Sequence, residues 1–177
     1  MRARPSIVTL CTGNAARSVM AEFMLRRRAQ DLGLEVVIVS AGTHVVEGQP
    51  MGMRTRAALA SIPELDDFEV SRHRSKQLGS EQLAGADVVV AMESDHVRFV
   101  RRHHPEAARS CATLRRLCVA LPPGDNQLGE RVRALGLERL PLDPAEDVAD
   151  PAGGDLEVYL ACAQELWGLA GELARCL

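Results

Sequence analysis

This chain is poor in aromatic residues, short of long apolar runs and without an excess of basic charge. Phenylalanine, tryptophan and tyrosine together make up 3% of its 177 residues. Tyr159 and Trp167 both fall in the last helical pattern. No apolar run reaches the roughly 18 residues that a membrane-spanning helix needs, so no membrane association is expected. The segment from Met1 to Pro5 is basic, but the apolar stretch after it is too short for a secretory signal. A net charge of −3 argues against general nucleic-acid binding. The local run Arg26-Arg27-Arg28 reads as the solvated face of a helix. The five cysteines are odd in number and lack the spacing of a small disulfide scaffold. Cys111 and Cys118 have six residues between them, with His103 and His104 upstream, which is not a zinc spacing. Cys162 and Cys176 read as packing residues of the terminal helix. The expectation is a reduced, cytoplasmic protein with no metal site.

What is present fits one ordinary globular domain spanning 1–177. Hydrophobic content is 46% and charged content 25%. Ile7 to Leu10, Val36 to Val39 and Asp87 to Met92 are short, β-branched runs of the kind buried on both faces of a sheet. Helical patterns lie between them: Arg17 to Leu32 closed by Gly33, Met51 to Ser61, a short one at Ser80 to Leu83, and Asp95 to His103 capped by Ser94 or Asp95. Leu65 to Leu78 reads mostly as connector. Cys111 to Leu117 reads as a fourth strand, and Gly154 to Arg175 as a long final helix. The region 122–142 is irregular, with a loop signal at Pro122-Pro123-Gly124-Asp125-Asn126 and a short helix at Leu128 to Leu135 weakened by Gly129. Strands alternating with helices predict an α/β three-layer sandwich with a four-stranded parallel sheet. In such sheets ligands bind beyond the carboxyl ends of the strands.

Cys11-Thr12-Gly13-Asn14-Ala15-Ala16-Arg17-Ser18 stands between the first strand and the first helix. The loop ends at a helix N-terminus, where unpaired backbone N–H groups favour an anion. Gly13 and Asn14 are residue types that take positive φ readily, so the loop can curl into a nest of donors. Arg17 brings a planar fork suited to two oxygens of a tetrahedral oxyanion. Cys11 sits where these positive groups converge. They favour its thiolate, a nucleophile aimed at a bound phosphorus. The competing reading is a buried strand-end cysteine.

The segment Val8 to Glu22 resembles the phosphate loop of the low-molecular-weight protein tyrosine phosphatases. That superfamily also holds thioredoxin-coupled arsenate reductases and protein arginine phosphatases. Two positions depart from its pattern: Ala16 replaces a second cysteine, and Val19 replaces a proline. The resemblance implies Cys11 as nucleophile, Arg17 as phosphate clamp, and Thr12, Gly13, Asn14, Ala15, Ala16, Arg17 and Ser18 as the phosphate-binding set. Asp150-Pro151 resembles the family's acid loop, with the terminal helix following at the usual distance; Asp143-Pro144 and Asp147 compete. Ser40-Ala41-Gly42-Thr43 and His73 match further family segments, which implies a hydrogen-bonded chain of Asn14, Ser18, Ser40 and His73. Set against the family, 122–142 looks like an insertion.

The implied reaction is hydrolysis of phosphate monoesters through a cysteinyl-phosphate, without cofactor. The expected partner is a phosphorylated protein, with phosphotyrosine first among its phospho-residues. Inorganic phosphate would be product and inhibitor. Family members acting on phosphotyrosine carry aromatic walls, whereas His44-Val45-Val46-Glu47 and Ala152-Gly153-Gly154 hold none of phenylalanine, tyrosine or tryptophan. A protein arginine phosphatase, an arsenate reductase and a phosphoprotein-binding module are the alternatives. Ala16 and the lack of cysteine between Thr12 and Ser110 weigh against the reductase. A pure binding module needs neither nucleophile nor acid.

Overall fold

The computed structural model describes residues 4–124 and 127–177. Met1 to Ala3 of the basic start, and Asp125 and Asn126 of the predicted loop, lie outside them. The chain runs β1 (Ser6–Cys11), α1 (Arg17–Asp31), β2 (Val37–Gly42), α2 (Met53–Ala60), α3 (Ser80–Leu83), β3 (Val88–Ala91), α4 (Ser94–His103), β4 (Cys111–Thr113), α5 (Leu114–Ala120), α6 (Leu128–Arg133) and α7 (Leu156–Ala174).

All pairings in the sheet are parallel, in the order β2-β1-β3-β4. Alternate residues of each strand face opposite layers. Ile7, Ile38, Val88 and Val90 pack with Met20, Met24, Leu166 and Leu169 of α1 and α7. Val8, Leu10, Ala41, Val89 and Ala91 pack with Val97 and Val100 of α4. Full burial of such side chains stabilises by about 1.5–3 kcal/mol each. This is the expected three-layer single domain. Its chain goes from β1 to β2 on one side, then returns past β1 to β3 on the other. The carboxyl end of β1 is therefore the switch point where a ligand crevice opens.

Several boundaries differ from expectation. The run at Cys111 is a strand only to Thr113, because the Thr113 hydroxyl accepts the Arg116 N–H and starts α5 there. Glu93, not Ser94 or Asp95, is the N-cap residue of α4; its backbone N–H donates to Nδ1 of His96. The final helix begins at Leu156, with Asp155 capping the Val158 N–H. Gly33 ends α1 with φ 69°, as a C′ glycine should. Gly129 is tolerated in α6 for a packing reason, since a Cβ there would come within 2.5 Å of Asp87 Oδ1. No helix among the described residues is long and apolar enough to cross a membrane.

Candidate active site

Cys11 is the last residue of β1 and is nearly buried. Parallel pairing sets it beside Gly42 of β2. The loop then turns at Asn14, whose φ of 51° makes it the one described non-glycine residue with positive φ. Four bonds hold it there. Its Oδ1 accepts the Lys76 N–H at 2.9 Å, and its Nδ2 donates to Ser18 Oγ at 3.0 Å. Its carbonyl accepts from Ser75 Oγ at 2.8 Å and from His73 Nε2 at 2.9 Å. Burial pushes the His73 imidazole below its ordinary value, and the bond to the Asn14 carbonyl opposes that shift.

The implied supporting chain thus joins Asn14, Ser18 and His73, and Ser75 joins it too. Ser40 does not belong to it. Its hydroxyl, among the described residues, makes no bond to Asn14, Ser18 or His73, whose mutual bonds run through Ser18 and segment 73–76. Thr9, opposite Ser40 in the sheet, instead donates to the Ser18 carbonyl at 2.8 Å. Ser18 Oγ lies 3.0 Å from Cys11 Sγ. Since Asn14 donates to that oxygen, the Ser18 hydrogen is free to point at sulfur.

The loop passes directly into α1, and its N-cap residue, Ala16, supplies no side-chain cap. The first-turn N–H groups are therefore left for an anion. A Cβ on Gly42 would stand 2.5 Å from the Thr12 carbonyl oxygen and 2.9 Å from the Asn14 nitrogen. Only a glycine lets β2 run this close beneath the loop.

Arg17 is 1% exposed, and its two terminal nitrogens make three polar contacts. One terminal nitrogen donates to the Val148 carbonyl at 2.8 Å and to Glu93 Oε1 at 2.9 Å; the other meets Asp150 Oδ2 at 2.9 Å. The Val148 N–H in turn bonds the Met92 carbonyl at the end of β3. The acid segment is thereby sewn to the rim. The competing aspartates are elsewhere. Asp143 caps its own short turn through the Ala145 N–H, and Asp147 accepts the Ser94 N–H at 2.6 Å at the start of α4.

Glu93 and His96 have no counterpart in the sequence expectations. His96 accepts the Glu93 N–H on Nδ1, so the neutral ring carries its proton on Nε2. That proton reaches Thr12 Oγ1 at 2.9 Å, with Glu93 Oε2 at 3.3 Å. Burial, then the charge of Arg17, pushes His96 down to about 4. The aromatic groups near the rim come from unforeseen places as well. Tyr159 of α7 lines a cavity of about 340 Å³ with Met53 and Thr55, and Thr55 bonds the Ala15 carbonyl. On the Thr12 side, His44 packs edge-on against Phe99 of α4, with ring centroids 5.6 Å apart.

The model of the low molecular weight phosphotyrosine protein phosphatase family matches residues 6–122. A protein-arginine-phosphatase of Geobacillus stearothermophilus is 33% identical over 97% of this chain and 95% of its own length. Low molecular weight protein-tyrosine phosphatase A of Mycobacterium tuberculosis is 39% identical over 58% of this chain and 61% of its own. Among solved structures, a low molecular weight protein tyrosine phosphatase from T. tengcongensis superposes with a TM-score of 0.76 at 31% identity, covering 98% of this chain and 99% of that one. The YwlE arginine phosphatase of Geobacillus stearothermophilus gives 0.72 at 30% identity, covering 96% and 90%. With the family model spanning most of the chain and relatives matching along its whole length, this protein belongs to the low molecular weight protein tyrosine phosphatase family of cysteine-dependent phosphatases.

Proposed function

We propose that the chain hydrolyses phosphate monoesters on proteins, phosphotyrosine first, through a cysteinyl-phosphate on Cys11. The carrying observation is the convergence of Cys11 Sγ, Ser18 Oγ 3.0 Å from it, and Arg17 bonded to Asp150, at the switch point of the sheet. The Cys11 thiolate attacks phosphorus in line while the loop N–H groups and Arg17 hold the equatorial oxygens. Asp150 gives its proton to the leaving oxygen. The Ser18 hydroxyl stabilises sulfur when water, activated by the Asp150 carboxylate, expels it. Arg17 holds Asp150 before substrate arrives. A phosphoryl group then takes over the guanidinium, and like charges at one site favour a proton between phosphate and Asp150. A reduced cytoplasmic setting goes with a nucleophile that must stay a free thiolate.

Phosphotyrosine is supported by Tyr159 and the His44–Phe99 pair beside the loop, since stacking on an aromatic ester contributes about 0.5–1.5 kcal/mol per ring pair. Phosphoarginine is the second reading. Two carboxylates, Glu93 and Asp150, flank Arg17 and suit a cationic leaving group, and the protein-arginine-phosphatase of Geobacillus stearothermophilus is similar along its whole length. The test is turnover of p-nitrophenyl phosphate, followed by peptides carrying phosphotyrosine, phosphoarginine or phosphoserine. Phosphotyrosine is expected to give the highest kcat/KM. A preference for phosphoarginine replaces the first reading with the second, and no turnover of any of these substrates, ester or phosphoarginine, removes both.

A further inference from the structure

In the free protein Arg17 holds Asp150 at the rim. A seated phosphoryl group takes that guanidinium, and other ties must then keep the acid beside the leaving oxygen. Asp150 itself retains one bond inside its own turn, from the Ala152 N–H at 3.1 Å. The ties to the rest of the fold lie earlier in the chain. The Val148 N–H donates to the Met92 carbonyl, and Asp147 accepts the Ser94 N–H. Glu146 makes two bonds at once. Its Oε2 accepts the Thr113 hydroxyl at 2.7 Å, and its Oε1 meets Arg116 Nε at 2.7 Å. The Thr113 oxygen also accepts the Arg116 N–H, so the three residues close a ring at the first turn of α5. Arg116 reaches further, to the Pro141 carbonyl at 3.3 Å. One guanidinium thus grips both ends of the stretch 141–146. Inside that stretch Asp143 caps the Ala145 N–H, and Pro144 fixes its own φ. The Arg116 and Glu146 side chains are each 22% exposed, so salt screens this pair less than it screens a surface one.

We propose that Glu146 is a positioning residue for the general acid: braced by Arg116 and Thr113, it fixes the segment that presents Asp150 while Arg17 is engaged with the phosphoryl group. It rests on the reading that Asp150 is that acid. Glu146 touches no reacting atom and acts through the short chain between it and Asp150. That chain is stiff, since Asp147 and Val148 are both bonded and Pro151 follows Asp150. The brace stands on β4 and α5, whereas the phosphate loop is held from β2 and from segment 73–76. Its loss therefore weakens proton delivery and leaves oxyanion binding alone. The Asp147 tie is compatible with this. Asp147→Asn keeps an oxygen for the Ser94 N–H and so keeps the segment in place, while Glu146→Ala removes both of its bonds.

The test is kcat/KM on phenyl phosphate, a poor leaving group, beside p-nitrophenyl phosphate, a good one. Glu146→Ala, folded by circular dichroism, is expected to lose roughly three- to tenfold on phenyl phosphate, short of the hundredfold that an ångström of misplacement can cost. On p-nitrophenyl phosphate, and in the inhibition constant of inorganic phosphate, it should stay within about twofold of wild type. Glu146→Gln keeps an acceptor and should recover most of the loss. In an Asp150→Asn background Glu146→Ala should cost nothing further on phenyl phosphate, because the group it positions is gone. Arg116→Ala carries the same expectations and serves if Glu146→Ala does not fold. Equal losses on the two esters, the same loss in the Asp150→Asn background, or an unchanged kcat/KM on phenyl phosphate each overturn the proposal. The reading of Asp150 as acid fails by a different result, an Asp150→Asn whose loss does not depend on the leaving group.

Discussion

Arg17, almost wholly buried, holds the half-exposed carboxylate of Asp150 at 2.9 Å. The same pairing separates the three candidate acids, because neither Asp143 nor Asp147 reaches the guanidinium. Asp150→Asn is expected to slow esters with poor leaving groups by roughly a hundredfold or more, and those with good ones far less, since only the former need a proton in the transition state. Asp143→Asn should match wild type. Asp147→Asn removes a charged cap from α4 and should lower stability by about 1 kcal/mol without any dependence on leaving group. Leaving-group dependence in Asp143→Asn would move the acid to the other Asp-Pro.

The nucleophile and the clamp separate in the same way. Cys11→Ser should abolish turnover but keep oxyanion binding, because Arg17 and the N–H nest remain. Arg17→Ala should lose both, and it also strands Glu93 and Asp150 without their cation. Calorimetric titration with inorganic phosphate reads the binding. Substantial hydrolysis by Cys11→Ser would refute the covalent mechanism.

Gly42 makes a stricter demand than its place in a strand suggests. A methyl group there collides with the Thr12 carbonyl and the Asn14 nitrogen. Since both contacts are backbone, Gly42→Ala must displace the loop, at about 1–3 kcal/mol. Expected is a loss in kcat/KM of at least roughly tenfold with the fold retained by circular dichroism, because an ångström of misplacement at the loop is costly to catalysis. A fully active Gly42→Ala would mean that the loop is not held in this position.

The loop and the place of Asp150 beside it were legible because each is a contiguous run: strand, Cys11 to Ser18, helix in one case, Asp150-Pro151 before a helix in the other. Several other partners of the loop were not. Glu93, His96 and Ser75 reach the site from segments brought together only by the crossovers of the sheet. Nothing local marks them, since Glu93 reads as one more helix-start carboxylate. Tyr159 was visible as a residue of the last helix, but its position beside the rim depends on where α7 begins. The fourth strand was overread because no glycine or proline interrupts Cys111 to Leu117, while the Thr113 hydroxyl decides the helix start. Ser40 failed for the converse reason, a matching segment whose bonding role Ser75 had taken.

His96 gives the fold an acid limb. Its imidazole stands at about 4 against 6.5 in the unfolded chain, chiefly from burial, with Arg17 adding to the shift and Asp150 opposing it. Between those values the unfolded chain binds a proton that the folded one refuses. The contribution of His96 to stability is therefore fully present above pH 6.5, is lost as the pH drops through this window, and changes no further below about 4. The loss from His96 is about 3 kcal/mol at most. His73 contributes in the same direction. Urea unfolding of His96→Gln should show a shallower loss between pH 6.5 and 4 than wild type. Identical slopes in the two proteins would remove His96 from the account.

The last prediction concerns oxidation. Peroxide converts an accessible thiolate to a sulfenic acid and then, irreversibly, to sulfinic and sulfonic acids. A neighbouring thiolate can intercept the first product as a disulfide. At the position next to Arg17 this loop offers only the methyl group of Ala16. Cys162 of α7 lies near enough for the charge of Cys11 to bear on it, but burial pushes its thiol up to about 12. At neutral pH it is a protonated, poor trap. Burial holds Cys111 and Cys118 up at about 12 as well, and Cys176 sits at the opposite end of α7 from the acid loop. Prolonged peroxide should therefore inactivate with little recovery in dithiothreitol, and mass spectrometry should find sulfinic or sulfonic acid on Cys11. Bound phosphate should protect. Ala16→Cys should make most of the loss reversible, while Cys162→Ser should change nothing. A Cys11–Cys162 disulfide with full recovery in reductant would show that the terminal helix supplies the trap that the loop lacks.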